Sequence, residues 1–345
     1  MRKIRHFLLV LCVVALGSGW GSTVFAQTAI DLHTGRVTKA RPNENPMSKQ
    51  RIMARDRALA TQDSLDYNEA VAKAFLLLRK DSLSQAQHEL ERALRLRPKA
   101  ETNAVLRLNL AKIYYWRKQW HDADRTLREV REDFARQLAQ KGNVKTSLEV
   151  GTNGNLQSLL NETRTWHCNT LYQLGKYQLA ADSIQFFLQQ KPELSPHEEM
   201  DVCTLLGDCY FALKNYDAAV AAYKRTLKIE ANAFEALLPM AQALQALHRE
   251  EEALMWLNSA LQYENYEEPL VARAKLHRAM ANEEAALADW EVLVKEHPQN
   301  LQYQVARAEM LLAVGKKKKA KDAVKKLLHA GFPHRELPAQ LQEIK

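Results

Sequence analysis

Alanine recurs along most of this chain at intervals that a single globular core would not require. The small residue that opens each of seven apolar helical segments is alanine, and successive members lie 37, 57, 39, 34, 33 and 34 residues apart. Since 57 equals 34 plus 23, the second interval indicates the same unit with an insertion of 23 residues. A fixed period of this length is typical of a tandem array of helical units. The seven positions are Ala86, Ala123, Ala180, Ala219, Ala253, Ala286 and Ala320.

Residues 200–233 show the repeated unit most clearly. Leu206, Tyr210 and Phe211 form one apolar face at helical spacing, and a second face follows after a short polar break. Gly207 and Ala219 are small at points where two paired helices must approach closely. The stretch therefore predicts a helix–turn–helix unit. Its second apolar face comprises Tyr216, Ala219, Val220, Tyr223 and Leu227.

This order of large and small residues resembles the tetratricopeptide repeat, a helical hairpin of about 34 residues. The resemblance extends over residues 67–334 and about seven units. It implies an all-α fold, a right-handed superhelical solenoid in which the first helix of each hairpin lines a concave face. A stack of repeats needs a cap at its end. We expect residues 335–345 to form a short capping helix, with Leu341 and Ile344 covering the last unit.

The array falls into two blocks separated by the insertion. We expect two repeats in residues 67–137, an insertion loop in residues 138–160 and five repeats in residues 161–334. Gly142, Gly151 and the Asn153-Gly154 pair favour a loop in the insertion, with a short hairpin or a helical extension as alternatives within it.

The first residues have the pattern of a secretory leader. Basic side chains at positions 2, 3 and 5 precede an apolar run from Phe7 to Leu16, and Val24-Phe25-Ala26 resembles a cleavage site. A membrane anchor is the alternative, but the run is shorter than the roughly 20 residues that a span requires. We expect residues 1–26 to be a signal peptide, and the protein to be exported to the periplasm or associated with the outer membrane.

Positive charge is concentrated in two places. Without residues 1–26 the net charge falls from +8 to +5, because that segment carries three basic and no acidic residues. Residues 27–62 have a charge of +4 and no sustained apolar period, which predicts a flexible basic arm. The second excess is a lysine-rich patch, interpreted either as a solvated helix face or as a docking site for an anionic partner. It consists of Lys316, Lys317, Lys318 and Lys319.

Three cysteines remain after the leader, namely Cys168, Cys203 and Cys209. Three is an odd number and too few for a fold framed by disulfides. Cys203 and Cys209 lie six residues apart on one predicted helix and cannot pair with each other. We interpret all three as small buried apolar residues, and leave open a pairing of Cys168 with either of the others.

Catalytic motifs are not found in the sequence. It contains no H-E-x-x-H metal motif, no phosphate-binding glycine loop and no G-x-S-x-G nucleophile turn. His167 and Cys168 are adjacent, but neighbouring residues on a helix point about 100° apart and do not face each other. The histidines lack metal-ligand spacing. We therefore predict that the protein is not an enzyme and has no cofactor or metal.

Binding is the function that the resemblance implies, through exposed positions of the first helices. Aromatic rings flanked by Lys, Asn and Asp suit recognition of an extended or helical peptide. For Tyr115, Trp116 and Phe211, packing against adjacent helices is the alternative. The predicted groove positions are Lys112, Tyr115, Trp116, Asn169, Tyr172, Gln173, Thr204, Asp208 and Phe211.

Our leading hypothesis is a non-enzymatic scaffold of the bacterial cell envelope that holds a protein or peptide segment in the concave groove. One alternative is a module that binds envelope polysaccharide or lipid through the basic arm and the lysine-rich patch. Another is a non-catalytic subunit of an envelope enzyme complex. Nucleic acid is not an expected partner of an exported protein, and any membrane contact would be peripheral. The partner, the pathway and the oligomeric state are not predicted.

Overall fold

A computed structural model gives the fold as almost wholly α-helical. It describes residues 28–30, 37–39, 62–98, 100, 103–141, 150–231, 233–262 and 267–344. The predicted signal peptide and most of the predicted arm lie outside these residues. Within the arm, strand β1 (Thr28–Ile30) pairs antiparallel with strand β2 (Val37–Lys39), and Ala29 lies opposite Thr38.

Fifteen α-helices are found in the described residues, and the first fourteen form seven successive hairpins. The all-α fold with about seven helix–turn–helix units is thus confirmed. The hairpins are α1 (Gln62–Arg79) with α2 (Leu83–Leu96), α3 (Asn103–Trp116) with α4 (Trp120–Lys141), α5 (Val150–Gln173) with α6 (Tyr177–Gln189), α7 (Pro196–Ala212) with α8 (Tyr216–Ile229), α9 (Phe234–Ala246) with α10 (Glu250–Ala260), α11 (Glu267–Ala279) with α12 (Glu283–Glu296), and α13 (Leu301–Ala313) with α14 (Lys317–His329).

The recurring alanines lie at the helix contacts, as their spacing predicts. All seven have no exposed surface. Each is in the first turn or second turn of the second helix of its hairpin, where a larger side chain would separate the two helices. The interval between the alanines in the sequence is therefore the interval between successive close contacts of paired helices.

One residue in the turn of every hairpin has a left-handed backbone. Each of these residues lies five positions before its recurring alanine, so the turn and the helix contact keep one register throughout. Only two of the seven are glycine, and the other five are residues for which a positive φ is strained. The residues are Asp81, Lys118, Gly175, Lys214, His248, Ala281 and Gly315.

The chain divides into two compact units, of which unit 1 comprises residues 1–194. It contains the first three hairpins, and each helix packs on the next along the chain. Leu90 and Ile113 lie at the centre of one buried cluster, formed by the first hairpin and α3. Leu127 and Phe134 lie in a second cluster, formed by the second hairpin and α5. The apolar faces of neighbouring hairpins therefore bury each other, as a stack of repeats requires.

Residues 138–141 and 150–160 of the predicted insertion loop are helical, which corresponds to the helical extension left open as an alternative. Helix α4 runs on to Lys141 and α5 begins at Val150, while residues 142–149 lie outside the described part of the chain. Leu159 and Leu160 are buried in the cluster that holds Phe134, and Leu138 and Leu156 pack against it. Burial of these side chains stabilises the extended hairpin, and outweighs the low helix propensity of the glycines at the start of α5.

Unit 2 comprises residues 195–345 and contains the other four hairpins. Its first helix is well capped: the Ser195 side chain accepts from the backbone N–H of Glu198, whose side chain accepts in return, and Pro196 follows the cap. Asn215, Asn282 and Asn300 cap α8, α12 and α13. These caps satisfy backbone N–H groups at the helix starts and fix where each hairpin begins.

The tail after the seventh hairpin packs on the last buried cluster of unit 2. It consists of a 3₁₀ turn (His334–Glu336) and helix α15 (Ala339–Gln342). Leu337 and Leu341 are 3% and 1% exposed and belong to the cluster formed by the sixth and seventh hairpins. The tail thus covers apolar surface of the seventh hairpin, which is the last hairpin in the described residues.

Candidate peptide-binding surfaces

Three aromatic rings form a cluster in unit 1, which we call the aromatic surface: Tyr115 and Trp116 from α3, and Trp166 from α5. The centroid of the Trp166 ring lies 5.3 Å from that of Tyr115 and 5.5 Å from that of Trp116, with interplanar angles of 74° and 86°. Edge-to-face contacts of this kind are favourable and hold each ring in one orientation. All three residues are partly exposed.

A buried ion pair lies beside the aromatic surface. Lys112 was predicted to be an exposed groove residue, but it is only 3% exposed, and this expectation is wrong. Its ammonium group pairs with Glu162 of α5 and lies 5.9 Å from the Trp166 ring centroid. Burial lowers the pKa of Lys112, and the Glu162 carboxylate acts in the opposite direction. The pair joins the first helices of the second and third hairpins underneath the aromatic rings.

The three predicted positions on α5 make different contacts. Gln173 is exposed and interacts with Tyr115, whose pKa is raised by burial although Gln173 lowers it. The side-chain amide of Asn169 donates to the carbonyl of Thr165, 3.0 Å away, one turn earlier on the helix. The Tyr172 ring packs on that of Tyr177 at 5.2 Å. Of the three, Gln173 is linked to the aromatic surface by its interaction with Tyr115.

The predicted positions in unit 2 make contacts within their own hairpin. The Thr204 hydroxyl lies 2.9 Å from the carbonyl of Met200 and 3.2 Å from the hydroxyl of Thr226 on α8. The hydroxyl of Tyr223 donates to the Asp208 carboxylate at 2.7 Å. Phe211 lies edge-to-face with Tyr216 at 5.4 Å. Packing within the hairpin, the alternative raised for Phe211, therefore accounts for the contacts that these three residues make.

A groove that the sequence did not indicate lies between the first helices of the fifth, sixth and seventh hairpins. It has a volume of about 610 Å³. Leu238, Val271, Ala272 and Tyr303 provide its apolar lining, and its polar lining comprises Gln242, Gln245, Glu267, Glu268 and Lys275. We call it the unit 2 groove. Its residues on α9 and on α11 follow helical spacing. In the sequence of either helix alone, such residues are indistinguishable from those of an ordinary solvated face.

The lysine-rich patch is fully on the surface. Lys316, Lys317, Lys318 and Lys319 are all exposed, and Lys317–Lys319 form the first turn of α14. The helix has no acidic residue in that turn. Positive side chains are unfavourable at a helix N-terminus because the exposed backbone N–H groups there are already positive.

The three cysteines are buried, and none of them forms a disulfide bond within the described residues. Burial raises the pKa of the Cys168 thiol to about 12 and that of Cys203 to about 11. His167 faces away from its neighbour Cys168, since its Nε2 lies 2.8 Å from Oδ1 of Asp124 on α4. The thiols of Cys168 and Cys203 therefore lack the low pKa that nucleophilic cysteines require.

The described part of the chain offers neither a candidate membrane span nor a candidate metal site. Among the helices there, none is long and apolar enough to cross a membrane. The same residues bring together no group of three or more His, Cys, Asp or Glu side chains that could hold a metal ion.

Comparison with known proteins agrees with the helical architecture. A sequence model of the tetratricopeptide repeat matches residues 106–136 and 205–233, within the second and fourth hairpins. The search of curated proteins found no match. These two segments are thus similar to the tetratricopeptide repeat, and the helical hairpins in which they lie agree with that similarity.

Solved structures of similar fold cover most of the chain. A tetratricopeptide repeat protein from Parabacteroides merdae is 20% identical over 81% of this chain and 98% of its own, with a TM-score of 0.50. PilF of Pseudomonas aeruginosa is 18% identical over 72% of this chain and 100% of its own, with a TM-score of 0.50. The apo form of RapI is 14% identical over 82% and 79%, with a TM-score of 0.53. At these identities the likeness concerns the fold alone.

Proposed function

We propose that this protein is a non-enzymatic scaffold of the bacterial cell envelope, and that it holds a segment of a protein partner on the aromatic surface. The observation that carries the proposal is the cluster of Tyr115, Trp116 and Trp166, which are partly exposed and fixed by edge-to-face contacts. Repeats of this kind typically serve as scaffolds for other proteins rather than as catalysts.

Rigid aromatic rings are efficient binding groups. They offer large apolar area and lose little conformational freedom when a partner binds, because packing already holds them. The buried Lys112–Glu162 pair supports this rigidity, since it ties together the two helices that carry the rings. Gln173 is exposed beside Tyr115 and has an amide that could bond to the backbone of a bound segment.

The envelope part of the proposal rests on the sequence alone. The basic residues, apolar run and small-residue site in residues 1–26 have the pattern of an export signal. The exported form would begin near Gln27 and keep Cys168, Cys203 and Cys209 buried in the helical stack.

A second candidate is binding of an envelope polyanion through the lysine-rich patch. The observation that favours it is the placement of three exposed lysines in the first turn of α14 without an acidic neighbour there. Such an arrangement lowers helix stability by itself. A bound polysaccharide or lipid phosphate would remove that penalty.

Affinity capture from envelope extract separates these functions. The exported form is immobilised, and capture is repeated at low and high salt, because phosphate and carboxylate contacts to exposed lysines weaken as ions screen them. The proposed function predicts a protein in stoichiometric amount that stays bound at high salt. Recovery of polyanion alone, lost at high salt, would favour the second candidate, and recovery of neither would contradict both. A captured enzyme would assign the role of a non-catalytic subunit.

A further inference from the structure

We propose that the unit 2 groove is a second peptide site, which binds an extended segment that carries a basic and an acidic residue about three positions apart. This site is distinct from the aromatic surface. It shares with the proposed function only the idea that the protein binds peptides, and its test uses other residues.

The shape of the unit 2 groove suits an extended chain. Three consecutive first helices line it, and its volume of about 610 Å³ is in the range of small-ligand and short-peptide sites. Leu238 and Val271 supply apolar contact from two different helices. Gln242 and Gln245 lie on the same face of α9 and are both exposed, so that their amides can donate to and accept from a peptide backbone.

The charges in the groove are separated along α11. Glu267 and Glu268 stand at the first turn of the helix, and Lys275 follows two turns later. Seven residues of helix span about 10 Å, at roughly 1.5 Å per residue. An extended peptide covers that distance in about three residues. This spacing gives the separation that we propose between the basic and the acidic residue of the partner.

At the acidic end of the groove, the Glu267 carboxylate is held in place by Tyr303 and His297. The hydroxyl of Tyr303 donates to Glu267 at 2.7 Å, and Nε2 of His297 lies 3.5 Å from the other carboxylate oxygen. Burial, reinforced by Glu267, raises the pKa of Tyr303 to about 12, so the phenol stays protonated and remains a donor at neutral pH. Glu268 is exposed beside this fixed group. A partner cation would therefore meet two carboxylates, one of them already oriented.

The two arginines of α11 do not compete for this end of the groove. Arg273 makes a bidentate pair with Asp289, at 2.6 and 3.0 Å, and also donates to Asn258. Arg278 pairs with Glu309 at 2.9 Å. Their charges are engaged by side chains of this unit, so Glu267, Glu268 and Lys275 set the charge pattern that the groove presents.

Selection from a library of random dodecapeptides displayed on phage tests the site. With the exported form as bait, we expect several-fold enrichment of peptides in which a Lys or Arg and an Asp or Glu lie three or four positions apart. The double variant Glu267→Gln and Glu268→Gln should lose the enrichment of the basic residue. Lys275→Gln should lose that of the acidic residue.

Matched controls decide where the selected peptides bind. Glu291→Gln with Glu296→Gln removes the same charge from exposed positions of α12 outside the groove, and should keep the full enrichment. Trp116→Ala alters only the aromatic surface and should also keep it. Enrichment of the basic residue that persists in the Glu267/Glu268 double variant, or loss of it in Trp116→Ala, would each overturn the proposal.

Discussion

The backbone of Gly207 lies directly against the ring of Tyr223. A Cβ atom at position 207 would come within 2.6 Å of Cδ1 and 2.8 Å of Cζ of that ring, distances that real Cβ contacts essentially never show. The hydroxyl of the same ring donates to Asp208, the next residue along α7. Tyr223 has no exposed surface, so the ring cannot move aside into solvent. Helices α7 and α8 therefore touch through a glycine and an aromatic ring.

Substitution of Gly207 by alanine should destabilise unit 2, although alanine is the better helix former. Overpacking of a buried site costs about 1–3 kcal/mol, whereas the gain in helix propensity is about 1 kcal/mol. Urea unfolding followed by circular dichroism should show a lower midpoint for Gly207→Ala. An unchanged or higher midpoint would show that the ring has room to shift.

The companion variant Tyr223→Leu identifies the cause of that loss. Removal of the ring opens space for a methyl group, so Gly207→Ala should cost less in the Tyr223→Leu background than in the wild type. A double-mutant cycle measures this coupling directly. Additive effects would mean that the two residues do not limit each other.

The turns of the hairpins provide a second test of the fold. Ala281 has a φ of 54° and Gly315 a φ of 80° at equivalent positions. A left-handed backbone costs a residue with a Cβ about 1–2 kcal/mol, which exceeds the roughly 0.4–1 kcal/mol of unfolded-state entropy that glycine adds. Ala281→Gly should therefore raise the free energy of unfolding and Gly315→Ala should lower it. Opposite signs, or no change in either variant, would contradict the shared turn geometry.

Thiol reactivity tests the burial of the cysteines. Because burial raises the pKa of Cys168 and Cys203 to about 12 and 11, very little thiolate exists at pH 8. The exported form should react slowly with an aromatic disulfide reagent when folded, and should release three equivalents of chromophore in denaturant. Rapid reaction of the folded protein would show that a thiol is accessible. A deficit in denaturant under non-reducing conditions would instead reveal a disulfide.

His167 should make stability depend on pH. Burial lowers its pKa, and the Asp124 carboxylate, which raises it, does not fully offset burial; Arg128 and Arg131 lower it further. Lys176 also lies 3.7 Å from that carboxylate. The unfolded chain, with a histidine pKa of about 6.5, then binds the proton first. Stability should accordingly be lost as the pH falls from about 6.5 toward the pKa of the folded state.

The variant His167→Gln isolates this effect, because glutamine can still donate to Asp124 and does not titrate. Its free energy of unfolding should fall less steeply between pH 7 and pH 5 than that of the wild type, by up to about 1.4 kcal/mol per pH unit. The control is His248→Gln, which replaces an exposed histidine of unit 2 and should keep the wild-type slope. Equal slopes for the wild type and His167→Gln would refute the assignment.

The repeat architecture could be predicted because its cause is local in the sequence. Each recurring alanine sits at a helix contact, and its distance from the turn is constant, so the spacing alone reveals the hairpins. For the insertion, the sequence left a loop, a hairpin and a helical extension open for the opposite reason. Its glycines favour a loop, but Leu159 and Leu160 are buried against Phe134 from another helix, a contact that only the folded stack creates.

Long-range contacts also limited the prediction of the site. The partner of Lys112 is Glu162, fifty residues away, and no spacing rule connects them. Trp166 is a core position of its hairpin in the sequence pattern, yet it completes the aromatic surface. The unit 2 groove was not predicted because Gln242 and Lys275 look like ordinary surface residues in the sequence. They line a groove only when the helices of successive repeats lie side by side.

Capture by two variants tests the proposal that the aromatic surface holds the partner. Trp116→Ala removes a ring from the aromatic surface, whereas Phe186→Ala removes a ring that is 64% exposed on α6 of the same unit, outside that surface. The yield of the salt-resistant partner from envelope extract is compared for both variants and the wild type. Trp116→Ala should lose most of the partner, while Phe186→Ala should retain it. Equal retention by the two variants would contradict the proposal.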